Sequence, residues 1–290
     1  MKLALIGVGL IGGSAAAAWR AADEAKRVVG YDVDAGAAER GRALGVLDVA
    51  ARSIAEAVAG ADVVLVAVPV LAMPEVFGQI ARHAPAHALI TDVGSTKTSV
   101  MEAARAALTG EASLRRFVPG HPIAGRELPG VDHADAQLFR GKLVITTPSA
   151  NTAPEAVARV EALWQRAGAR VARMECAEHD RIFAAVSHLP HLLAFALVAS
   201  IASEADGDRK MQFAGAGFRD FTRIAASSPA MWRDVCLANR DALGQELARY
   251  RELLETLQKA IESGDAAALE RTFAVASAAR RRHAPTLDAE

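Results

Sequence analysis

Three glycines near the N-terminus restrict the possible fold more than any other feature of this sequence. Gly7, Gly9 and Gly12 form a G-x-G-x-x-G pattern between the apolar run at residues 3–6 and an alanine-rich helical stretch. In a strand–turn–helix unit, the first glycine allows a tight turn, the second leaves room for a pyrophosphate, and the third allows helix and strand to pack closely. The pattern therefore predicts a βαβ unit with a phosphate site at the N-terminus of its helix.

Alternating β-rich and helical segments extend this unit through the first half of the chain. Short apolar runs predict strands at residues 3–6, 28–31, 63–68, 88–91, 143–146 and 170–172. From Glu175 onward the strand signals stop and helical patterns rich in Ala, Leu, Glu and Arg dominate. We therefore predict an α/β fold, with a Rossmann-type, mostly parallel sheet in residues 1–174 and an all-α domain in residues 175–290.

A carboxylate after the second predicted strand indicates which dinucleotide the glycine turn binds. Asp32 stands twenty positions after Gly12, where it can accept hydrogen bonds from ribose hydroxyls and repel a 2′-phosphate. NAD is therefore the predicted cofactor, and the alternative is a glycine turn beside a surface aspartate. The residues predicted to line the cofactor site are Gly7, Gly9, Leu10, Ile11, Gly12, Asp32, Val68 and Pro69.

Charge, cysteine count and hydropathy narrow the classes of partner. A net charge of -1 gives no bulk attraction to nucleic acid or to an anionic membrane. The most apolar helical stretch, residues 192–202, is shorter than the roughly 20 residues that span a bilayer. Cys176 and Cys236 suit neither a disulfide framework nor a zinc site, and Met1 leads directly into a strand without a signal peptide. We expect a cytoplasmic protein with no nucleic-acid or membrane partner.

Two polar segments are expected at the edge of the sheet where ligands bind, and the first of them directly follows a predicted strand. The first is DVGSTK at residues 92–97, in which Ser95 or Thr96 could instead cap the next helix while Lys97 is solvated. The second is PGHPIAGRE at residues 119–127, where His121 stands between a glycine and a proline and is predicted to lie on a loop. A histidine suits the proton transfer that accompanies oxidation of an alcohol, because its pKa lies near neutrality.

A third polar segment, SHLPH at residues 187–191, begins an apolar helical stretch. His188 and His191 are three residues apart, so on a helix they share a face. No third ligand accompanies them, so no metal site is predicted, and one of the two could instead be a neutral core residue. The helical half also needs a surface to cover its apolar faces, which favours a homodimer through that domain.

Taken together, these segments resemble the prephenate dehydrogenase family, also called the cyclohexadienyl dehydrogenase family. The matching strings are GVGLIGGS at 7–14, DVGSTK at 92–97, HPIAG at 121–125, SHLPH at 187–191 and GFRDFTRIA at 217–225. They cover nearly the whole chain in the order of the family. The resemblance implies an NAD-dependent enzyme of tyrosine biosynthesis that oxidatively decarboxylates prephenate, its small-molecule substrate, to 4-hydroxyphenylpyruvate.

The resemblance also implies roles for particular side chains. His121 accepts the hydrogen bond of the substrate C4 hydroxyl, Ser95 steadies that pair, and Arg223 binds a substrate carboxylate. The residues implied to contact the substrate or close its pocket are Ser187, His188, His191, Glu127, Asp220 and Trp232, with Glu127 and Asp220 in an ionic network with Arg223. In the family, a histidine at position 191 goes with prephenate, while use of arogenate as well, or instead, stays open.

Two other interpretations remain. A β-hydroxyacid dehydrogenase would share the domain order and use Lys97 catalytically, but it leaves the segments at 121–125 and 187–191 unexplained. A non-catalytic NAD(H)-sensing module would have no need of an intact His121, Ser95 and Arg223.

Overall fold

Six parallel strands form the main sheet in the computed structural model, which describes residues 1–109, 111–126 and 128–287. The strands are β1 Lys2–Ile6, β2 Arg27–Tyr31, β3 Val49–Ala50, β4 Val63–Val66, β5 Leu89–Asp92 and β6 Phe117–Val118. Their order in space is β3-β2-β1-β4-β5-β6, the order of a doubly wound dinucleotide-binding sheet. The order reverses between β1 and β4, and a ligand crevice is expected at the carboxyl ends of these two strands. The predicted α/β class is confirmed.

A second, three-stranded sheet follows the main one. It contains β7 Gly120–Ile123, β8 Leu143–Thr146 and β9 Arg170–Arg173, with β7 antiparallel and β9 parallel to the central β8. The prediction that His121 lies on a loop is wrong, because His121 pairs with Ile145 in this sheet. As an edge strand, β7 tolerates Pro122, which has no N–H to donate.

Helices cover both faces of the main sheet. The helices of the first half are α1 Leu10–Ala21, α2 Ala35–Ala43, α3 Ile54–Val58, α4 Met73–His83, α5 Thr98–Ala107, α6 Glu111–Leu114 and α7 Pro154–Arg166. Leu3 and Leu5 of β1 belong to one apolar cluster, whereas Ala4 and Ile6 belong to another. This alternation explains why the central strands are apolar at every position.

The described chain after Arg173 contains helices and no strand. The helices are α8 Cys176–Phe183, α9 Leu189–Ala202, α10 Gly207–Gln212, α11 Ala216–Thr222, α12 Pro229–Ala238, α13 Arg240–Ser263 and α14 Ala266–Leu287. The predicted helical second half is therefore confirmed. By its contacts the chain divides into one unit up to Arg240 and another from Asp241 onward, and the domain boundary near residue 174 stays a prediction.

One long helix departs from the sequence-based expectation. A π-helical turn at Ala184–His188 joins α8 to α9, giving a continuous helix, Cys176–Ala202, of 27 residues. The expectation that its apolar stretch is confined to residues 192–202 is wrong, since the widened turn carries the helix through Pro190. By length and composition this helix is able to span a membrane, and 28% of its apolar window is buried.

Candidate active site

The glycine turn has the geometry of a phosphate cradle. Gly7 has a φ of 98°, and a Cβ added there would lie 2.4 Å from the carbonyl oxygen of Ala67. A Cβ added to Gly12 would lie 2.6 Å from the Gly7 carbonyl oxygen, whereas one added to Gly9 would meet nothing within 4 Å. Packing therefore explains Gly7 and Gly12, while Gly9 opens a space at the N-terminus of α1. This open space fits the pyrophosphate of a dinucleotide.

Asp32 lies at the carboxyl end of β2, beside this cradle. Its carboxylate accepts hydrogen bonds from the backbone N–H groups of Val8, at 2.7 Å, and Asp34, at 2.9 Å. The glycine turn and the strand end are thus held together by one anionic group. Of the other predicted cofactor residues, Leu10 is buried, Ile11 and Val68 are half-buried, and Pro69 is exposed.

Replacing Asp32 by Asn should relax the discrimination between the two dinucleotides. The amide removes the charge that repels a 2′-phosphate, so the ratio of kcat/KM for NAD+ to that for NADP+ should fall at least about tenfold. Asp34→Asn is the matched control, since it removes the same charge from an exposed helix-capping residue two positions away. Equal use of NAD+ and NADP+ by the unaltered protein would contradict the role given to Asp32.

A buried ion pair fixes the end of β5 against the start of β7. Lys97 is fully buried, and its ammonium donates to the Asp92 carboxylate and, at 2.6 Å, to the Gly120 carbonyl. The Asp92 carboxylate also accepts from the N–H groups of Gly94 and Gly120, at 2.7 and 3.1 Å. The alternative in which Lys97 is solvated is therefore wrong. These contacts place the strand that carries His121 at the carboxyl end of β5.

His121 is the first of three side chains that form a hydrogen-bonded chain. Its Nδ1 lies 2.8 Å from Nε2 of His179, and Nδ1 of His179 lies 2.8 Å from a carboxylate oxygen of Asp180. The Asp180 carboxylate also accepts from the backbone N–H groups of Lys97 and Thr98. Although burial acts to raise its pKa, the hydrogen bonds from His179 and Thr98 hold the pKa of Asp180 below the ordinary value.

The ionised Asp180 determines which ring nitrogens carry protons. A carboxylate only accepts, so Nδ1 of His179 carries a proton and its Nε2 is the acceptor. His121 must then donate from Nδ1, which leaves the lone pair of its Nε2 free. Burial is the main cause that holds the pKa of His121 well below 6.5, and the neighbouring His179 and Lys97 lower it further. At neutral pH, His121 is therefore an uncharged ring able to accept a proton at Nε2.

The histidines of the third polar segment pack on Trp232 of α12. The His191 ring stacks on the indole with centroids 3.6 Å apart, and the His188 ring meets it edge-on at 6.2 Å. His191 donates from Nδ1 to the Ser187 carbonyl at 2.9 Å, while His188 is fully buried. Three of the residues predicted to contact the substrate are thus brought together.

The roles of the remaining predicted residues stay predictions. Ser95 is half-buried in the loop before α5, and the hydrogen bond at Nδ1 of His121 involves His179 rather than Ser95. Arg223 is exposed after α11 but close enough for its charge to lower the pKa of His191. Asp220 is exposed on α11, and Glu127 lies outside the described residues.

Sequence reasoning missed three residues of this site: His179, Asp180 and Asn239. The first two lie in α8, in a stretch whose charged composition is typical of an exposed helix face. Asn239 follows α12, and its amide lies 3.0 Å from Nδ1 of His188. An adjacent histidine and carboxylate is the only local signal, and it is a weak one.

The buried histidines should make the protein less stable in mild acid. Burial is the main cause that lowers the pKa of His188 to about 4, so the unfolded chain, with a value near 6.5, binds the proton more readily. The contribution of neutral His188 to the free energy of unfolding is therefore complete above pH 6.5 and is lost as the pH falls toward 4. Urea unfolding should show a loss of about 2 kcal/mol between pH 7.5 and pH 5 from His188 alone. His188→Gln should remove that part of the slope, and a free energy of unfolding that is equal at both pH values would contradict it.

Comparison with known proteins relates this geometry to one family. Residues 15–173 match the family model described as the nucleotide-binding domain of prephenate dehydrogenase. Residues 175–275 match the model described as the dimerization domain of prephenate dehydrogenase. The two matches together include the segments around His121 and His188, which carry the site.

Individual relatives are similar to this chain over almost its whole length. A cyclohexadienyl dehydrogenase from Zymomonas mobilis is 38% identical over 265 residues, which cover 91% of this chain and 89% of the relative. The crystal structure of prephenate dehydrogenase from Aquifex aeolicus, in complex with hydroxyphenyl propionate and NAD+, is 32% identical with a TM-score of 0.87, covering 97% of this chain and 98% of that one. Arogenate dehydrogenase from Synechocystis is 28% identical with a TM-score of 0.79, covering 98% and 100%.

Proposed function

Because this chain belongs to the prephenate dehydrogenase family, we propose that it oxidises prephenate with NAD+ and releases CO2, giving 4-hydroxyphenylpyruvate for tyrosine biosynthesis. The observation that carries the proposal is the His121–His179–Asp180 chain, which leaves a lone pair on Nε2 of His121. A neutral imidazole with a free lone pair is able to accept the proton of a carbinol.

In this mechanism the residues of the chain orient the substrate and accept one proton. The bound nicotinamide supplies the hydride acceptor. His121 takes the C4 hydroxyl proton at Nε2, and the resulting positive charge is stabilised through His179 by the Asp180 carboxylate. The ring carboxylate departs as CO2, the electron pair of the broken bond makes the ring aromatic and provides the driving force, and the phenolate oxygen takes the proton back from Nε2 of His121. Positioning is therefore the main contribution of the protein.

The same proposal assigns the remaining side chains to substrate binding. Arg223 pairs with a substrate carboxylate, since a guanidinium fork matches its two oxygens. His191 and Trp232, stacked on one another, form a wall of the pocket, and His188 lies beside them. Ser95 steadies His121 from the loop that follows β5.

Arogenate is a second candidate substrate, and one contact favours it. Nδ1 of His191 donates to the Ser187 carbonyl, so the neutral ring presents an acceptor at Nε2. Burial lowers the pKa of His191, which keeps the ring neutral at pH 7. A lone pair at this position accepts a hydrogen bond from the ammonium group of arogenate, whereas the keto group of prephenate is itself an acceptor.

Measuring NADH formation with prephenate, arogenate and 3-hydroxyisobutyrate tests the proposal. Turnover of prephenate with a higher kcat/KM than arogenate is the expected result. A preference for arogenate would support the second candidate, and turnover of neither cyclohexadienyl substrate would end both. No turnover of 3-hydroxyisobutyrate is expected, because the ammonium of Lys97 is buried and bonded to Asp92 and Gly120.

We also propose that the chain forms a homodimer through its helical domain, in the cytoplasm. Only 28% of the apolar window in helix Cys176–Ala202 is buried in a single copy, and this helix lies in the segment that matches a dimerization domain. A second copy covering that surface would bury it. Both cysteines are free thiols, which suits a reducing compartment. Sedimentation equilibrium should give twice the mass of the chain.

A further inference from the structure

Asn239 joins two parts of the site that are far apart in sequence. It follows α12 and is 5% exposed. Its side-chain nitrogen lies 2.8 Å from the backbone carbonyl of Asp180 and 3.0 Å from Nδ1 of His188. The amide therefore connects the residue that orients His179 with the buried histidine of the third polar segment.

The carbonyl of Asp180 determines how this amide is oriented. A carbonyl oxygen only accepts, so the NH2 group of Asn239, and not its oxygen, must face Asp180. The second N–H of the same group then points to His188, whose Nδ1 must be the acceptor. A neutral imidazole that accepts at Nδ1 carries its proton on Nε2. The contacts of Asn239 thus select one of the two tautomers of His188.

The opposite nitrogen of His188 is a buried donor. Nε2 completes no hydrogen bond with any residue that the structure describes. Burial is the main cause that lowers the pKa of His188, and the Ser95 backbone acts to raise that pKa without completing a hydrogen bond to Nε2; the nearby titratable groups are Asp180, His179 and His191. Leaving a buried N–H without an acceptor is costly, so native structures rarely do so unless a ligand or water supplies the partner.

We propose that Asn239 is a positioning residue that holds His188 as the Nε2–H tautomer, so that His188 donates a hydrogen bond to an oxygen of the bound substrate. The identity of that substrate rests on the proposed function, whereas the tautomer follows from the contacts of Asn239 alone. Asn239 acts through His188 and does not itself touch the substrate.

The tautomer is measured directly by NMR of the full-length protein with 15N-labelled histidine, in the presence of NAD+. Correlations from the ring protons of His188, assigned by their loss in His188→Gln, should show a protonated Nε2 and an unprotonated Nδ1 at pH 7.5. A protonated Nδ1 with a free Nε2 would overturn the proposal. This measurement needs no turnover, so it separates failure of the tautomer from failure of the proposed function.

A double-mutant cycle tests whether Asn239 acts through His188. Asn239→Ala should raise KM for the cyclohexadienyl substrate about tenfold while changing kcat less than threefold. The reason is that His188 is no longer held as the tautomer whose Nε2–H donates to the bound substrate. In the His188→Gln background, the same change should alter KM less than twofold. Equal effects in both backgrounds would show a purely structural role and overturn the proposal.

Asn239→Asp provides a readout that general loosening of the fold does not give. Its carboxylate accepts where the amide donated, so Nδ1 of His188 should become protonated and the pKa of His188, followed by NMR titration, should rise above that of the unaltered protein. An unchanged pKa and tautomer in this variant would contradict the role of Asn239.

Discussion

Replacing His121 by Asn is expected to lower kcat by about 10²- to 10⁴-fold while leaving NAD+ binding unchanged. The expected loss is that of a general base, since the amide has no basic nitrogen to accept the C4 hydroxyl proton. The side chain is 8% exposed and is hydrogen-bonded to His179, outside the glycine turn predicted to bind the dinucleotide. The effect should therefore appear in the chemical step, measured by single-turnover NADH formation, and not in the dissociation constant for NAD+.

An exposed histidine serves as the control for that substitution. His133→Asn makes the same chemical change at an exposed position in a short helical turn, and it should leave kcat within a factor of two. An unaltered kcat in His121→Asn would remove His121 from the mechanism. A loss confined to NAD+ binding would mean that the position of the pocket is wrong.

The sequence was sufficient to predict the features of the fold that depend on local spacing of residues. The glycine pattern and the apolar runs predicted six strands, and the structure contains each of them with ends within two residues of the predicted ones. The strands β3 and β6 were missed because each has only two residues, too few for a periodic pattern to appear. The strand β7 was not predictable, because a histidine between glycine and proline is typical of a loop, although an edge strand tolerates proline.

The contacts that orient the candidate site were not predictable, because they join distant parts of the chain. His121 and His179 are 58 residues apart, and Asn239 lies 59 residues from Asp180. No periodicity or motif links such positions, and each residue looks ordinary in its own segment. Only the fold shows that the carboxyl end of β5, the strand β7 and the helix α8 meet at one place.

The π-helical turn connects the two histidine systems. It starts directly after α8, which carries His179 and Asp180, and ends at His188. The backbone carbonyl of Asp180 accepts from Asn239, while its carboxylate accepts from His179. Asp180 thus influences the protonation of both His121 and His188, through its side chain in one case and its backbone in the other. Such turns occur often at functional sites.

Removing the ring behind His121 should have the second-largest effect on catalysis. We expect His179→Ala to lower kcat by about 10- to 100-fold, because Nδ1 of His121 loses its buried acceptor and the charge formed in the reaction loses its path to Asp180. KM for the substrate and the dissociation constant for NAD+ should change less than threefold, since His179 is fully buried behind His121.

His179→Gln separates the role as an acceptor from simple packing. The amide oxygen of Gln reaches about as far as Nε2 of histidine, so it can accept from Nδ1 of His121 and preserve the free lone pair on Nε2. This variant should therefore recover at least part of the kcat lost in His179→Ala, although it lacks the link to Asp180. If Ala and Gln reduce kcat equally while both proteins unfold at the same urea concentration, acceptance at His179 does not orient His121. A recovery in kcat without a change in KM is what the hydrogen-bonded chain requires.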